Sequence, residues 1–352
     1  MAQSEFWVVA LDRESDGART INLALENAGY PSPRYFADPA LALAEFDGFR
    51  PAFIIVRLNS PPLAELAFVR SIRSVVGPGV FLPVLAIGDV TVETVAELAV
   101  DAGISDFLAE PLTPYQILSY VGSLIRTSAR ARYVRRLLRD TIKAVGAEPG
   151  PAHYESIARL GQAGEHSDDG ADEHAARVGR LSGDIAHELG LPPAEAQLIG
   201  LAAPLHDLGK AFVAHRVLSK EGEFVPFERK LMQQHVSAGT ELLKGESSSL
   251  ARAAEIIVRS HHERWDGKGY PAGLSGMRIP LSGRIVAVAE AFEAMTHLRP
   301  YKAGVSVGDA LAEIREERDR QFDPNVVHAL LRIQDRLLCL ASHLFEGRAA
   351  GL

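Results

Sequence analysis

The stretch "AFIIVRL", residues 52–58, is a continuous apolar run broken only by one arginine. Two runs of the same kind, "FWVVAL" (6–11) and "FLPVLAI" (81–87), and a shorter one, "ISDFLA" (104–109), accompany it. Such runs are typical of strands buried on both faces of a parallel sheet. Helical patterns separate them near residues 16–28, 62–76 and 91–102. The alternation predicts a small, doubly wound α/β domain at the start of the chain.

Composition limits the classes of function. The chain has 352 residues, 47% of them hydrophobic, and a net charge of −8. That charge argues against nucleic acid as a partner, because phosphate binding needs a basic face. The single cysteine, Cys339, suits a reducing compartment. No apolar stretch approaches the roughly 18 residues of a membrane span, and the first residues do not resemble a signal peptide, so we expect a cytoplasmic protein.

A long amphipathic helix follows the α/β domain, starting near Thr113 and continuing to about residue 145. Its apolar stripe consists of Ile117, Val121, Leu124, Ser128, Ala131, Leu138, Ile142 and Val145. Its outer face carries Arg126, Arg130, Arg132, Arg135, Arg136, Arg139 and Lys143. The pattern predicts a homodimer formed through the 113–145 helix. The alternative is a solvated helix that packs on its own chain.

The chain loosens after this helix and then becomes helical throughout. "GAEPGP" (146–151) breaks the helix, and "EHSDDGADE" (165–173) is acidic and turn-prone. Every strong segment beyond it has helical periodicity, which predicts an all-α second domain. We therefore divide the chain into an α/β domain at 1–125, a linker helix and acidic loop at 126–165, and a helical domain at 166–345.

Five histidines and two carboxylates interrupt apolar faces in the second domain. They are His174, His206, His235, His261 and His262, with Asp207 and Glu290. A single core histidine is commonly satisfied by a neighbouring hydrogen bond. Seven scattered buried polar groups would each cost about 1–3 kcal/mol if unsatisfied, whereas collecting them around metal ions removes that cost. Imidazoles with carboxylates suit Fe, Mn, Zn or similar ions.

The order of motifs in this domain resembles the HD-GYP family of metal-dependent cyclic di-GMP phosphodiesterases. "HDLGK" (206–210), "HHERWDGKGYP" (261–271), "RPYK" (299–302) and "FDP" (322–324) occur in the family's order, and the likeness spans about residues 170–330. The resemblance implies an HD-type helical fold that hydrolyses cyclic di-GMP to linear pGpG, to GMP, or to both.

The same resemblance implies a role for each motif residue. It assigns one metal to His174, His206, Asp207 and Glu290, and a second to Asp207, His235, His261 and His262. Asp207 and Lys210 become catalytic, and Lys210, Tyr270, Arg299 and Lys302 contact the dinucleotide. The two divalent ions are Fe or Mn by this likeness, with Zn, Mg or Ni as alternatives. The alternative interpretation of Lys210 is a solvated lysine after a helix end. The alternative for Tyr270 is a surface that binds a signalling-protein partner.

Two positions depart from the family pattern around the metals. Glu290 stands where the family has aspartate, and its extra methylene either still allows ligation or weakens the first site. Gly170 occupies the place of a glutamate that holds a third metal in some members, so we expect two metals unless Asp168, Asp169 or Asp172 substitutes.

The first domain resembles the flavodoxin-like receiver domain of response regulators, with its chemistry removed. Arg57 occupies the phosphoacceptor position, Glu110 replaces the expected lysine, and Gly88 replaces the hydroxyl residue of the fourth strand. An arginine is neither a phosphate acceptor nor a magnesium ligand. We therefore expect a receiver-like domain that does not accept phosphate, with Arg57 beside Asp12 and Glu110 in a permanent ion pair. Its role is either docking and dimerisation or the sensing of another signal.

Two further functions stay open at this point. In the first, a degraded metal site serves a cyclic di-GMP-binding scaffold that acts through protein partners, a hypothesis favoured by the degenerate receiver and by Glu290. In the second, the protein is a phosphohydrolase of the HD type that acts on a different nucleotide. The "GYP" and "RPYK" motifs favour the cyclic di-GMP phosphodiesterase over this alternative.

Overall fold

The structure, a computed structural model, describes residues 5–46, 51–59, 61–76, 80–88, 93–146, 148–165, 174–296, 305–335 and 337. The chain forms two compact units. The first contains Met1–Tyr133 and Ala211–His235, and the second contains Val134–Lys210 and Val236–Leu352. The predicted boundaries near residues 125 and 166 stay a prediction, since the units follow packing and not chain order.

Five parallel strands form the sheet of the first unit in the order β2-β1-β3-β4-β5. The strands are β1 (Phe6–Val9), β2 (Arg34–Phe36), β3 (Phe53–Arg57), β4 (Val84–Gly88) and β5 (Asp106–Ala109). The helices of the whole chain are α1 (Asp16–Asn27), α2 (Pro39–Phe46), α3 (Leu63–Val75), α4 (Glu93–Ala102), α5 (Pro114–Val145), α6 (Tyr154–Gly164), α7 (His174–Glu188), α8 (Pro193–Ala202), α9 (His215–Leu218), α10 (Pro226–Leu243), α11 (Ser249–Ser260), α12 (Leu281–Thr296), α13 (Val307–Glu316) and α14 (Pro324–Arg332). The predicted doubly wound α/β fold is confirmed.

The apolar runs form the interior strands because both of their faces are covered. All residues of β1 and β4 are buried, as are the first four of β3. The sequence patterns missed β2 and α2. Strand β2 lies at the edge of the sheet, has three residues and is partly exposed, so its apolar signal is short.

The degenerate receiver positions meet at one edge of this sheet, since the carboxyl ends of parallel strands lie together. Arg57 ends β3 and Glu110 follows β5. The guanidinium of Arg57 donates two hydrogen bonds to Glu110, with Nε–Oε1 at 3.1 Å and Nη2–Oε2 at 3.2 Å. The predicted pairing of Arg57 is thus made with Glu110, while Asp12 accepts a hydrogen bond from the backbone of Glu14.

Residues 211–235 join the first unit although they follow the sheet by about a hundred residues of sequence. Arg216, on α9, donates to both carboxylate oxygens of Asp106 at 2.7 and 3.1 Å, and to Glu228 at 2.9 Å. Phe227 packs on Phe107 with ring centroids 6.2 Å apart. Val213, Val217 and Leu231 join the core that the sheet begins.

The second unit is built from helices, as predicted. Helix α7 packs on α8 and α12, and α11 packs on α8 and α12. The predicted long helix is α5, which spans 32 residues. Its apolar stripe is buried within the single chain, except for a half-buried Ile142. Among the residues that the structure describes, no helix is long and apolar enough to cross a membrane.

Candidate metal centre

The His206–Asp207 pair lies in a bend between two short 3-10 turns, Ala203–Leu205 and Leu208–Phe212. Both side chains are almost fully buried. The backbone carbonyl of Ala203 accepts from Nδ1 of His206 at 2.9 Å, which leaves Nε2 directed away from its own backbone. Asp207 Oδ2 lies 3.2 Å from that Nε2. The sequence thus presents an imidazole nitrogen and a carboxylate side by side in a buried position.

Helix α7 contributes His174 at its first residue. The stripe predicted from Val178, Leu181 and Ile185 is buried, and His174 continues it at the start of the helix. The ring of His174 lies 5.7 Å from that of His206, centroid to centroid. Helix α7 therefore delivers its histidine to the His206–Asp207 bend.

Helices α10 and α11 contribute the other three histidines. His235 lies on α10, where its Nδ1–H donates to the carbonyl of Met232 at 2.8 Å. His261 caps the end of α11, where the carbonyl of Val258 lies 3.0 Å from its Nδ1. Its Nε2 lies 3.9 Å from Asp207 Oδ1. His262 follows, with its ring centroid 4.0 Å from that of His261.

These side chains form two groups of metal-ligating atoms, in each of which all atoms lie within 4.8 Å of one another. One group is Asp207, His235, His261 and His262, and the other is Glu165, His174, His206 and Asp207. Asp207 belongs to both groups, in agreement with the bridging role that the resemblance implies. All four predicted ligands of the second metal, and three of the predicted four of the first, come together.

Glu165 is a member that the sequence patterns missed. It follows the end of α6, where Gly161 and Gly164 allow the helix to approach the His206–Asp207 bend. A Cβ at Gly164 would lie 2.6 Å from the Cα of Leu208, and one at Gly161 would lie 2.1 Å from the carbonyl oxygen of Pro204. The "GQAGE" spacing of small residues before a glutamate was the available signal.

Glu290, the predicted carboxylate of the first site, lies in neither group of ligating atoms. It is half-buried on α12, where its charge helps to raise the pKa values of His206, Lys210 and Tyr270. Its role as a ligand therefore stays a prediction. One turn later, the buried Glu293 contacts Nδ1 of His174, and Arg177 Nε donates to its other oxygen at 2.7 Å. Glu293 is the second residue that the sequence patterns missed.

The site has an electrostatic potential that favours cations. Burial lowers the pKa of His206, but Asp207 and the glutamates at 290 and 165 outweigh burial and bring the pKa to about 9. Burial raises the pKa of Glu165 more than the neighbouring cationic groups lower it. Its buried Oε1 has no hydrogen-bond partner among the described residues. A divalent cation would be a partner for this oxygen. Its positive charge would take the place of the protons that the neighbouring carboxylates stabilise on His206.

Lys210 and Tyr270 border the same groups. The ammonium of Lys210 contacts Asp207 Oδ2, and its side chain keeps 27% of its exposure. The ring of Tyr270 stacks on His262 with centroids 4.7 Å apart. Glu263 holds this "GYP" loop by accepting from the backbone nitrogens of Ala272 and Leu274 at 2.8 and 2.9 Å. A Cβ at Gly269 would lie 2.4 Å from the nitrogen of Arg264, so the loop folds back closely on "HHE".

Five predicted positions lie outside the described residues. They are Arg299 and Lys302 of "RPYK" and the acidic candidates Asp168, Asp169 and Asp172. Cys339 lies outside them as well. Their predicted roles are unchanged by the structure.

The helical unit and its ligating groups define the class of metal-dependent HD phosphohydrolases. The model of the HD domain family matches residues 165–326. The HD domain implies the binding of divalent metal, in agreement with the donor set.

Relatives extend the likeness over most of the chain. The cyclic di-GMP phosphodiesterase response regulator RpfG of Xanthomonas campestris is 35% identical over 300 residues, covering 84% of this chain and 79% of that protein. A cyclic di-GMP phosphodiesterase of Thermotoga maritima is 32% identical over 293 residues, covering 80% and 79%. The 3′3′-cGAMP-specific phosphodiesterase 2 of Vibrio cholerae is 37% identical over 171 residues, covering 49% and 33%. This chain belongs to the HD-GYP family of cyclic di-GMP phosphodiesterases.

Proposed function

We propose that the protein hydrolyses cyclic di-GMP to linear pGpG, to GMP, or to both, at a centre of two divalent ions. The observation that carries this proposal is the shared Asp207, which joins two groups of buried ligating atoms. Relatives matched over 79% of their length carry the name of this activity.

The donor sets fit two divalent ions, for which Fe or Mn is our proposal and Zn, Mg or Ni the alternatives. Nitrogen and carboxylate ligands without thiolate suit these metals. Glu165 takes part in the first group together with His174, His206 and Asp207, and Glu290 is a further carboxylate near it. Bound divalent ions supply Lewis-acid activation of water and neutralise charge on the phosphoryl oxygens.

The residues of this chain bind and orient the substrate around that centre. Burial lowers the pKa of Lys210, but Asp207, Glu290 and Glu165 outweigh it and keep the ammonium protonated. Lys210 therefore presents a permanent positive charge to a phosphate. Tyr270 offers its ring and hydroxyl beside His262, and Arg299 and Lys302 add two positive charges for a dianionic dinucleotide.

The experiment is cyclic di-GMP hydrolysis by protein purified without oxygen, with metal content determined on the same sample. The variants His206→Asn and Asp207→Asn should lose product formation and metal. His187→Asn, the same change at an exposed histidine of α7, should retain both. A metal-loaded wild type that binds cyclic di-GMP without turnover would instead support the scaffold hypothesis.

A second substrate, 3′3′-cGAMP, has one supporting observation. A stretch of 171 residues of this chain is 37% identical to an enzyme named for that specificity. The same assay with both dinucleotides decides between them by their ratio of kcat/KM. We favour cyclic di-GMP because its relatives match both units of the chain.

We also propose a cytoplasmic homodimer with a protein partner at the "GYP" loop. The length of α5 and its exposed Tyr133 support a contact between copies, although its apolar stripe is covered within one chain. The single cysteine supports a reducing compartment. Sedimentation equilibrium of wild type and Tyr133→Glu tests the dimer, which should dissociate in the variant.

A further inference from the structure

The ligand histidines differ in what holds their Nδ1 atoms. His206, His235 and His261 each direct Nδ1 to a main-chain carbonyl, at distances of 2.9, 2.8 and 3.0 Å. His174 directs Nδ1 to the carboxylate of Glu293, which lies on α12. Nε2 of His174 faces Glu165 Oε1 at 3.9 Å. The Nε2 atom can offer its lone pair to a metal only when the imidazole is neutral and carries its proton on Nδ1.

Glu293 is itself held in place. Arg177, one turn after His174 on α7, contacts its second oxygen through Nε and Nη2 at 2.7 and 2.6 Å. The side chain of Glu293 is only 4% exposed. A buried carboxylate fixed by an arginine therefore lies behind this one ligand.

We propose that Glu293 and Arg177 are positioning residues that fix the tautomer and orientation of His174 as a metal ligand. The inference rests on the proposed function, since it requires that metal binds at the Glu165–His174–His206–Asp207 group. Partners of this kind orient ligating histidines and raise their basicity, and their loss typically weakens metal affinity about 10- to 100-fold. The effect belongs to one group, because the histidines at 206, 235 and 261 rely on backbone carbonyls.

The test is a titration with Mn²⁺ of metal-free, full-length protein, carried out on wild type and on Glu293→Gln. The glutamine keeps a hydrogen-bond acceptor for Nδ1–H but removes the charge. We expect the affinity of one Mn²⁺ to fall about 10- to 100-fold and that of the other to stay unchanged. Glu293→Asp, which keeps the charge on a shorter side chain, should recover part of the loss.

A matched control is Asp323→Asn, which also neutralises a buried carboxylate paired with an arginine. Asp323 contacts Arg284 and caps α14, and it belongs to neither ligating group. Both Mn²⁺ affinities should stay at the wild-type values in this control. If Glu293→Gln fails to fold, Arg177→Gln tests the same pair, because it leaves the carboxylate and should give a smaller loss at the same Mn²⁺.

Wild-type affinity for both ions in Glu293→Gln, or equal losses in it and Asp323→Asn, would overturn this inference alone. A wild type that takes up no Mn²⁺, Fe²⁺ or Zn²⁺ would overturn the proposed function as well.

Discussion

Asp207 is the residue on which the two halves of the metal centre depend. Its two oxygens lie toward different histidines, with Oδ2 at 3.2 Å from His206 Nε2 and Oδ1 at 3.9 Å from His261 Nε2. His235, in contrast, belongs to one group only. A shared carboxylate makes the affinities of the two positions interdependent, because both cations are attracted to the same negative charge, which offsets the repulsion between them.

Metal content should therefore differ between two variants. Asp207→Asn should reduce the bound metal at both positions, whereas His235→Asn should leave close to half of the wild-type metal. Elemental analysis of dialysed protein, normalised to chain concentration, measures this difference. Equal residual metal in the two variants would contradict the shared role of Asp207.

At this scale the sequence predicted the histidines but missed two glutamates. The histidines interrupt periodic apolar stripes, which makes them visible against their helices. Glu165 follows a helix end next to an acidic stretch, and only the small residues before it in "GQAGE" (161–165) distinguish it from its neighbours. Glu293 was hidden for another reason: its partners, His174 and Arg177, lie more than a hundred residues earlier. Long-range pairings of this kind leave no periodicity.

At the scale of elements, α6 positions the centre by close backbone contact. Gly164 faces the Cα of Leu208, so no side chain separates the helix from the turn that follows Asp207. Glycine here serves the approach of two backbones and not an unusual dihedral angle.

Gly164→Ala should destabilise the protein by about 1–3 kcal/mol, the usual cost of overpacking a tight contact. It should also lower phosphodiesterase activity, since the helix carries Glu165. Gly150→Ala, at a glycine with no atom within 4 Å of the added Cβ, is the control and should be nearly neutral. Urea unfolding and hydrolysis assays on both variants check this expectation, and similar behaviour of the two would refute the packing argument.

A second element, the start of α10, holds residues 211–235 together through a buried ion network. Glu228 accepts from Arg216 at 2.9 Å and also contacts Lys220. Burial raises the pKa of Glu228, but the hydrogen bonds from Lys220 and Arg216 outweigh it, and the pKa lies below its ordinary value. The ionised carboxylate is therefore bound more favourably in the folded protein than in the unfolded chain.

The lowered pKa fixes the sign of a pH dependence. The stabilisation by Glu228 is fully present above the ordinary glutamate pKa of about 4.3 and is lost as the pH falls below it. The difference in urea midpoint between wild type and Glu228→Gln should be largest at neutral pH and should shrink on acidification. A difference that grows toward low pH would contradict the assigned sign.

At the scale of the whole molecule, the first unit has a receiver-like fold with Arg57 at the end of β3. Its interior strands agree with the sequence analysis, because buried parallel strands have a strong apolar signal. The packing of residues 211–235 with this unit was not predictable. Val213, Val217 and Leu231 have the same apolar periodicity whichever core they enter.

The first unit should take no phosphate. Arg57 stands at the end of β3 in a two-bond pair with Glu110, where phosphorylation would need a carboxylate nucleophile. Incubation with acetyl phosphate and Mg²⁺, followed by intact mass measurement, should give no added phosphoryl group. A mass increase that hydroxylamine removes would indicate an acyl phosphate and would refute the expectation.

Because residues 211–235 belong to the first unit, the chain cannot be divided into two independent fragments at one position. A fragment that begins at Val134 keeps this segment but loses the sheet, so Arg216 loses Asp106 and the apolar side chains at 213, 217 and 231 lose their core. The first unit therefore cannot be removed by a single cut in the chain, nor replaced by another domain at a single junction. A replacement of the first unit by gene fusion therefore has to include residues 211–235 together with the sheet.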